Sequence, residues 1–293
     1  MRSYALRFPR DLWRIWQNRD SPVGRFALLR CWFSLRLGRA SAPPAVRLGP
    51  LRLKAGSHND LAFGFSEMFV KEDYWVALAT ASPTIIDCGA NIGIAMLYFK
   101  ARFPGAKVVC FEPNPAGCDL IDWHIRENGL RDVTLHRAGC GTSPGEAAFY
   151  VNATDSIVSS FYRERAQAGV EIKVPVVRLS DAITGPVDLL KIDVEGAEWD
   201  IIEDLIAAGK MPLINSIIVE YHHLISGRPA VLSRFLGMIE AAGFRYELKS
   251  ELGRWQRFKG GFQDVMIYAT KKTLQVLAVA TSLLAGPEWL LVG

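Results

Sequence analysis

The run Thr84-Ile-Ile-Asp87-Cys-Gly89-Ala-Asn91-Ile-Gly93 constrains this chain more than any other stretch, because an apolar strand there enters a glycine-bearing turn that opens a helix. A second apolar segment, Lys107 to Glu112, follows the helix and ends on a carboxylate within Phe111-Glu-Pro-Asn-Pro115. Strand, tight turn, helix and second strand make the opening unit of an open, mainly parallel α/β sheet. On such sheets ligands bind beyond the carboxyl ends of the strands.

The turn narrows the ligand. Gly89 lacks a Cβ, so the chain turns tightly and a ligand can approach its backbone. Gly93 lies a helical turn further on, where a side chain would hold the helix away from the sheet. Glu112 is placed to accept hydrogen bonds from two ribose hydroxyls. A dinucleotide such as NAD and S-adenosylmethionine both fit this much. The glycine spacing is Gly-x-x-x-Gly, however, without the Gly-x-Gly-x-x-Gly of a dinucleotide fingerprint. Asp87 would also oppose a pyrophosphate by like charge, whereas it suits a cationic sulfonium. Both features favour S-adenosylmethionine.

At 293 residues the chain has room for one α/β domain with extensions. Its net charge is only +4, so no nucleic-acid partner is expected. The charge is unevenly spread: residues 1–40 hold nine arginines against Asp11 and Asp20, a local +7 that leaves about −3 elsewhere. Arg7, Arg10 and Arg14 are interleaved with Trp13 and Trp16, and Arg25, Arg30 and Arg36 with Trp32 and Phe33. That pattern fits one or two amphipathic helices. They serve either as caps with snorkelling arginines or as a contact for an anionic membrane or an acidic carrier. The organisation expected is a basic helical extension and linker over 1–45, a strand-and-helix preface over 46–83, the main domain over 84–270 and an apolar tail over 271–293. In the preface Val46–Leu53 reads as a strand or hairpin, and Phe65–Leu78, carrying Glu67 and Tyr74, has helical spacing. Gly286, Pro287 and Glu288 interrupt the tail before it reaches the length of a membrane span. The five cysteines form no Cys-x-x-Cys pair and no secretory signal opens the chain, so a cytoplasmic setting without zinc or disulfides is expected.

Beyond the first two strands, the apolar pattern predicts strands over Val133–Arg137, Val187–Asp193 and Ser216–Tyr221, with helices between them. Phe244–Leu248 and Asp264–Ala269 are spaced for an antiparallel hairpin at the sheet edge. Glu146–Val151 and Glu171–Leu179 are further extended pieces around the polar loop Asn152–Tyr162. The strand ends then bring together Asp87, Glu112, Arg137-Ala-Gly139, Asp193-Val-Glu195 and Glu220-Tyr-His222. Methyl transfer from a sulfonium needs an aligned acceptor, a dry site and, for a hydroxyl, removal of a proton. Asp193, Glu195, Glu220 and His222 are the candidates for those roles. His222 is the natural base near neutral pH, and Asp193 the residue to orient the acceptor or face the sulfonium. Glu198 reads as a first-turn residue favouring the helix dipole. The spacing demands no metal, and none is included.

Four motifs in order, Asp87-Cys-Gly-Ala-Asn-Ile-Gly93, Phe111-Glu-Pro-Asn-Pro115, Leu190-Lys-Ile-Asp-Val-Glu-Gly-Ala-Glu198 and Val219-Glu-Tyr-His222, resemble those of the FkbM-type methyltransferases. The resemblance spans roughly Glu67 to Thr270. It implies a Rossmann-like class I fold and an S-adenosylmethionine-dependent enzyme, mostly acting on hydroxyls of small molecules or glycans. It also implies that Asp87, Gly89, Asn91, Gly93 and Glu112 line the cofactor, with Asp193 and Glu195 near the reacting centre. Ala90, Asn114 and Gly139, neighbours in the same turns and at the third strand end, complete the candidate set. The rival expectations are an NAD-dependent oxidoreductase or epimerase and a protein that binds the cofactor without catalysing.

Overall fold

Successive side chains of a strand point to opposite faces. Ile85, Leu189 and Ile218 enter one hydrophobic core, and their neighbours Ile86, Leu190 and Ile217 enter another. Both faces of the central sheet are therefore covered, which is why its strands read as nearly unbroken apolar runs.

The computed structural model describes residues 8–37, 45–152, 159–166, 169–225, 231–250 and 263–271. Helices α1 (Phe8–Gln17) and α2 (Arg25–Leu37) precede a hairpin of β1 (Ala45–Leu48) and β2 (Leu51–Lys54), then α3 (His58–Phe65), which widens into a π-helical turn over Ser66–Val70. Alternating units follow: β3 (Thr84–Cys88), α4 (Ile94–Arg102), β4 (Lys107–Phe111), α5 (Pro115–Glu127) and β5 (Val133–His136). An excursion through β6 (Gly139–Gly141), β7 (Gly145–Val151), β8 (Val170–Arg178) and α6 (Leu179–Ala182) returns to β9 (Val187–Ile192) and α7 (Glu198–Ala207). The last elements are β10 (Ile214–His223), α8 (Leu232–Ala241), β11 (Phe244–Lys249) and β12 (Gln263–Lys271).

Seven strands form the main sheet in the order β11-β12-β10-β9-β3-β4-β5, and β6, β8 and β7 form a separate small sheet. Neighbours from β10 through β5 run parallel, while β12 runs antiparallel to both β10 and β11. Numbered by appearance within this sheet, the order is 3-2-1-4-5-7-6, the Rossmann-like class I methyltransferase arrangement. Its direction reverses between β3 and β9, so the crevice for a ligand opens beyond Cys88 and Ile192.

Two expectations change. The helix expected over Phe65–Leu78 lies earlier: Ser57 caps α3 by accepting the Asp60 N–H at 3.0 Å, and Glu72, at φ 52°, turns the chain away. The extended pieces around the polar loop pair as a three-stranded sheet, which brings Ser160 and Arg165 towards the main one. At the N-terminus, Ile15, Leu28 and Trp32 share a core with Leu48, Phe65 and Ile85. The Trp32 indole N–H donates to buried Asp11 at 3.3 Å. The linker at 41–44 and the tail beyond 271 lie outside the described residues. Among those described, no helix is long and apolar enough to cross a membrane.

Candidate active site

At the crevice the turn after β3 touches the end of β9. Gly89 has φ +79°, and a Cβ there would lie 1.7 Å from the Asp193 carbonyl oxygen, so only glycine permits this contact. Ala90 is buried beside it, and Asn91 also takes a left-handed conformation, at φ 49°. Gly93 caps α4 at φ +82°, and a Cβ there would stand 2.9 Å from Ile121 of α5. The constraint at Gly93 is thus helix against helix, not the helix-to-sheet packing expected. The Glu112 carboxylate accepts the N–H groups of Asn91 and Asn114, each at 2.7 Å. Each oxygen keeps a further lone pair for a ribose hydroxyl. Burial raises the Glu112 pKa to about 7 against the pull of those two amides. Asn114 caps α5 by accepting the Ala116 N–H at 3.1 Å. Gly139 differs: a Cβ would lie 2.4 Å from the Phe161 ring, so an aromatic side chain fills the space beside it.

Asp87 plays a different part from the one anticipated. Ladder register sets Lys191 opposite it, and the ammonium lies 2.9 Å from the Asp87 carboxylate with both side chains fully buried. Lys191 also donates to the Gly89 carbonyl at 2.7 Å and stands 3.5 Å from Asp193. Burial works against the lysine's charge, but Asp87 and Asp193 overcome it and hold its pKa above the usual range. Asp87 thus faces a cation inside the protein, beneath the turn, while burial raises its pKa.

Around Asp193 lies a chamber of acidic groups. The Tyr74 hydroxyl is 2.9 Å from Asp193 Oδ2 and 3.3 Å from Glu220 Oε2, able to donate to either. His222 Nδ1 meets Glu198 Oε1 at 2.7 Å, and its Nε2 lies 3.1 Å from Glu195 Oε2 and 3.9 Å from Asp193 Oδ1. Burial disfavours the imidazolium, yet Glu195 and Glu198 raise its pKa well above the ordinary value. His222, the base expected from sequence, is thus held between carboxylates that favour its protonated form. Burial raises Glu195 to about 7 despite its pairing with His222 and Arg165, and raises Glu220 well above the carboxylate range with Asp193 adding to the effect. The Asp193 side chain is 23% exposed.

Glu195 sits at φ 56°, a sparsely populated conformation for a residue with a side chain. Ser160 holds it by donating to its carbonyl at 2.6 Å, and Arg165 pairs with its carboxylate. Glu198 is not merely a helix-dipole residue, since it binds His222 and accepts the Gly196 N–H at 2.8 Å. The ligand atoms of Asp193, Glu195 and His222, and those of Glu220, His222 and Asp264, each lie within 4.8 Å, close enough to hold a cation. Lys191 and Arg165 already supply positive charge there. Beyond the His222–Glu198 pair a cavity of about 290 Å³ is lined by Trp199, Tyr221, Ile225 and Arg234. Positions 153–158 of the polar loop lie outside the described residues.

Tyr74 was visible in the sequence as an isolated polar point, and Lys191 as the one lysine in an apolar strand. Ser160 and Arg165 carried no such signal.

Residues 87–246 match the family model described as the methyltransferase FkbM domain. The methyltransferase sdnD of Sordaria araneosa is 26% identical over 237 residues, covering 70% of this chain and 90% of that protein. The 31-O-demethyl-FK506 methyltransferase FkbM of Streptomyces tacrolimicus is 27% identical over 197 residues, covering 55% of this chain and 72% of its own. Among solved structures, a methyltransferase FkbM from Methylobacillus flagellatus KT aligns with 82% of this chain and 58% of its own, at a TM-score of 0.44 and 14% identity.

Proposed function

The chain belongs to the FkbM methyltransferase family, and from that premise we propose that it is an S-adenosylmethionine-dependent O-methyltransferase acting on a hydroxyl of a glycan, a lipid-linked sugar or a secondary metabolite. One observation carries the choice of oxygen: an accessible carboxylate, Asp193, at the switch point, backed by Tyr74 and Lys191. A hydroxyl acceptor must lose its proton as it attacks, and a carboxylate within hydrogen-bond reach is the group that takes it. The name of the Streptomyces relative, which specifies an oxygen, supports the same choice.

S-adenosylmethionine supplies an electrophilic methyl group on a sulfonium. In this proposal Glu112 holds the ribose hydroxyls, and the bare backbone at Gly89 lets the donor lie against the end of β3. Asp193 accepts the acceptor's proton as oxygen bonds to the methyl carbon and the carbon–sulfur pair returns to sulfur, leaving S-adenosylhomocysteine. Tyr74 and the His222–Glu195 pair fix the carboxylates around the reacting oxygen. Five buried free cysteines fit a reducing, cytoplasmic setting.

Calorimetric titration with S-adenosylhomocysteine, beside an NAD control, tests the donor site. Wild type should bind the former alone, and Glu112→Ala should weaken it by about tenfold or more, the loss of charge-assisted hydrogen bonds. Labelled-methyl transfer to a panel of hydroxyl acceptors tests the rest. Asp193→Asn should keep S-adenosylhomocysteine binding and lose transfer by about a hundredfold or more. Transfer only to nitrogen or carbon acceptors would end the O-methyl proposal.

A further inference from the structure

Helices α1 and α2 each bury one face and leave an aromatic and basic face outward. On α1, Asp11 and Ile15 point inward, while Arg10, Trp13 and Trp16 share the outer side, with Trp16 67% exposed. On α2, Leu28, Cys31, Trp32 and Leu35 are buried. The opposite stripe, Phe26, Arg30, Phe33 and Leu37, repeats at helical spacing, with Phe26 86% and Leu37 77% exposed. A helix that is apolar on both sides has one side unaccounted for by its own fold. The two outer faces meet where the Arg25 guanidinium lies 5.1 Å over the Trp16 ring and donates to the Trp16 carbonyl at 3.3 Å. The surface continues past the inter-helix turn: Arg102 donates to the Asp20 carbonyl at 3.1 Å and lies over the half-exposed Trp75, which directly follows Tyr74.

We infer that this face docks on an anionic lipid bilayer. Phe26, Phe33 and Leu37 call for an apolar medium, which a nucleic acid does not offer. Nine arginines against two acids over residues 1–40 call for a negative surface, and one of those acids, Asp11, is turned inward onto Trp32. A second copy of this chain would set arginines against arginines. A bilayer carrying acidic headgroups offers both requirements at once, with aromatic rings at the headgroup level and guanidinium groups on phosphate.

The test is co-sedimentation of the full chain with vesicles of phosphatidylcholine alone and of phosphatidylcholine with phosphatidylglycerol. Binding should appear with the acidic vesicles, fall with added salt, and drop about tenfold or more in W16A/F26A/L37A and in R10E/R30E. These side chains are exposed, and an unchanged thermal midpoint in each variant shows that the fold is intact. Absence of binding to acidic vesicles, equal binding to both vesicle types, or binding unaltered in both variants overturns the proposal. A concentration-dependent dimer abolished by the same substitutions, without vesicle binding, overturns it in favour of a second copy.

Discussion

Lys191 is the residue on which the site depends most, because it stands in the sheet as a buried cation between Asp87 and Asp193. Replacing it by methionine leaves Asp87 buried without its partner, a change that costs about 3–5 kcal/mol. Chemical denaturation of Lys191→Met should show that loss, and Asp87→Asn in the same chain should recover much of it. Titration offers a second check. Burial raises the pKa of Glu195 from 4.5 to about 7, so the folded chain holds a proton there that the unfolded chain releases. A carboxylate raised in this way favours the folded state at low pH, and its contribution is lost as pH rises from 4.5 to about 7. The urea midpoint should therefore fall across that window, and less steeply in Glu195→Gln. At this scale the carboxylates were legible because strand ends announce themselves in an apolar pattern. The charge state of His222 was not, since it is set by Glu195 and Glu198, neither of which neighbours it in sequence. Arg165 was invisible for the same reason: it arrives from a loop with no periodicity.

The elements follow a similar division. Strands β3, β4, β9 and β10 could be placed from sequence because burial on both faces leaves runs without alternation. The helix before them was misplaced because the apolar spacing beyond Phe65 outweighed a capping serine eight residues earlier. The turn between β3 and α4 makes the sharpest demand. Gly89→Ala would place a methyl group 1.7 Å from the Asp193 carbonyl oxygen, in a backbone region that side chains avoid. The turn must then move, with an expected cost of about 1–3 kcal/mol and loss of S-adenosylhomocysteine affinity in calorimetry. Unchanged affinity would show that the donor does not lie on this turn.

At the scale of the whole molecule, the N-terminal helices share one core with the preface and the main sheet. The basic extension reads in sequence as cap helices or as a contact for an anionic surface, and Trp32 is fully buried in the core that also holds Phe65 and Ile85. Trp32→Ala should destabilise the entire chain by about 3–5 kcal/mol, lowering a single thermal transition instead of creating a second one. The alternation of strands and helices made the parallel half of the sheet legible, and the spacing of β11 and β12 made their hairpin so. Sequence did not show that β12 would enter between β10 and β11. That insertion bears on how the protein is made. A ribosome releases β11 before β12, so β11 waits for its one neighbour among the described strands, and β10 waits with one side bare. Nascent chains halted before residue 263 would expose an unpaired apolar edge of the kind that quality-control factors capture.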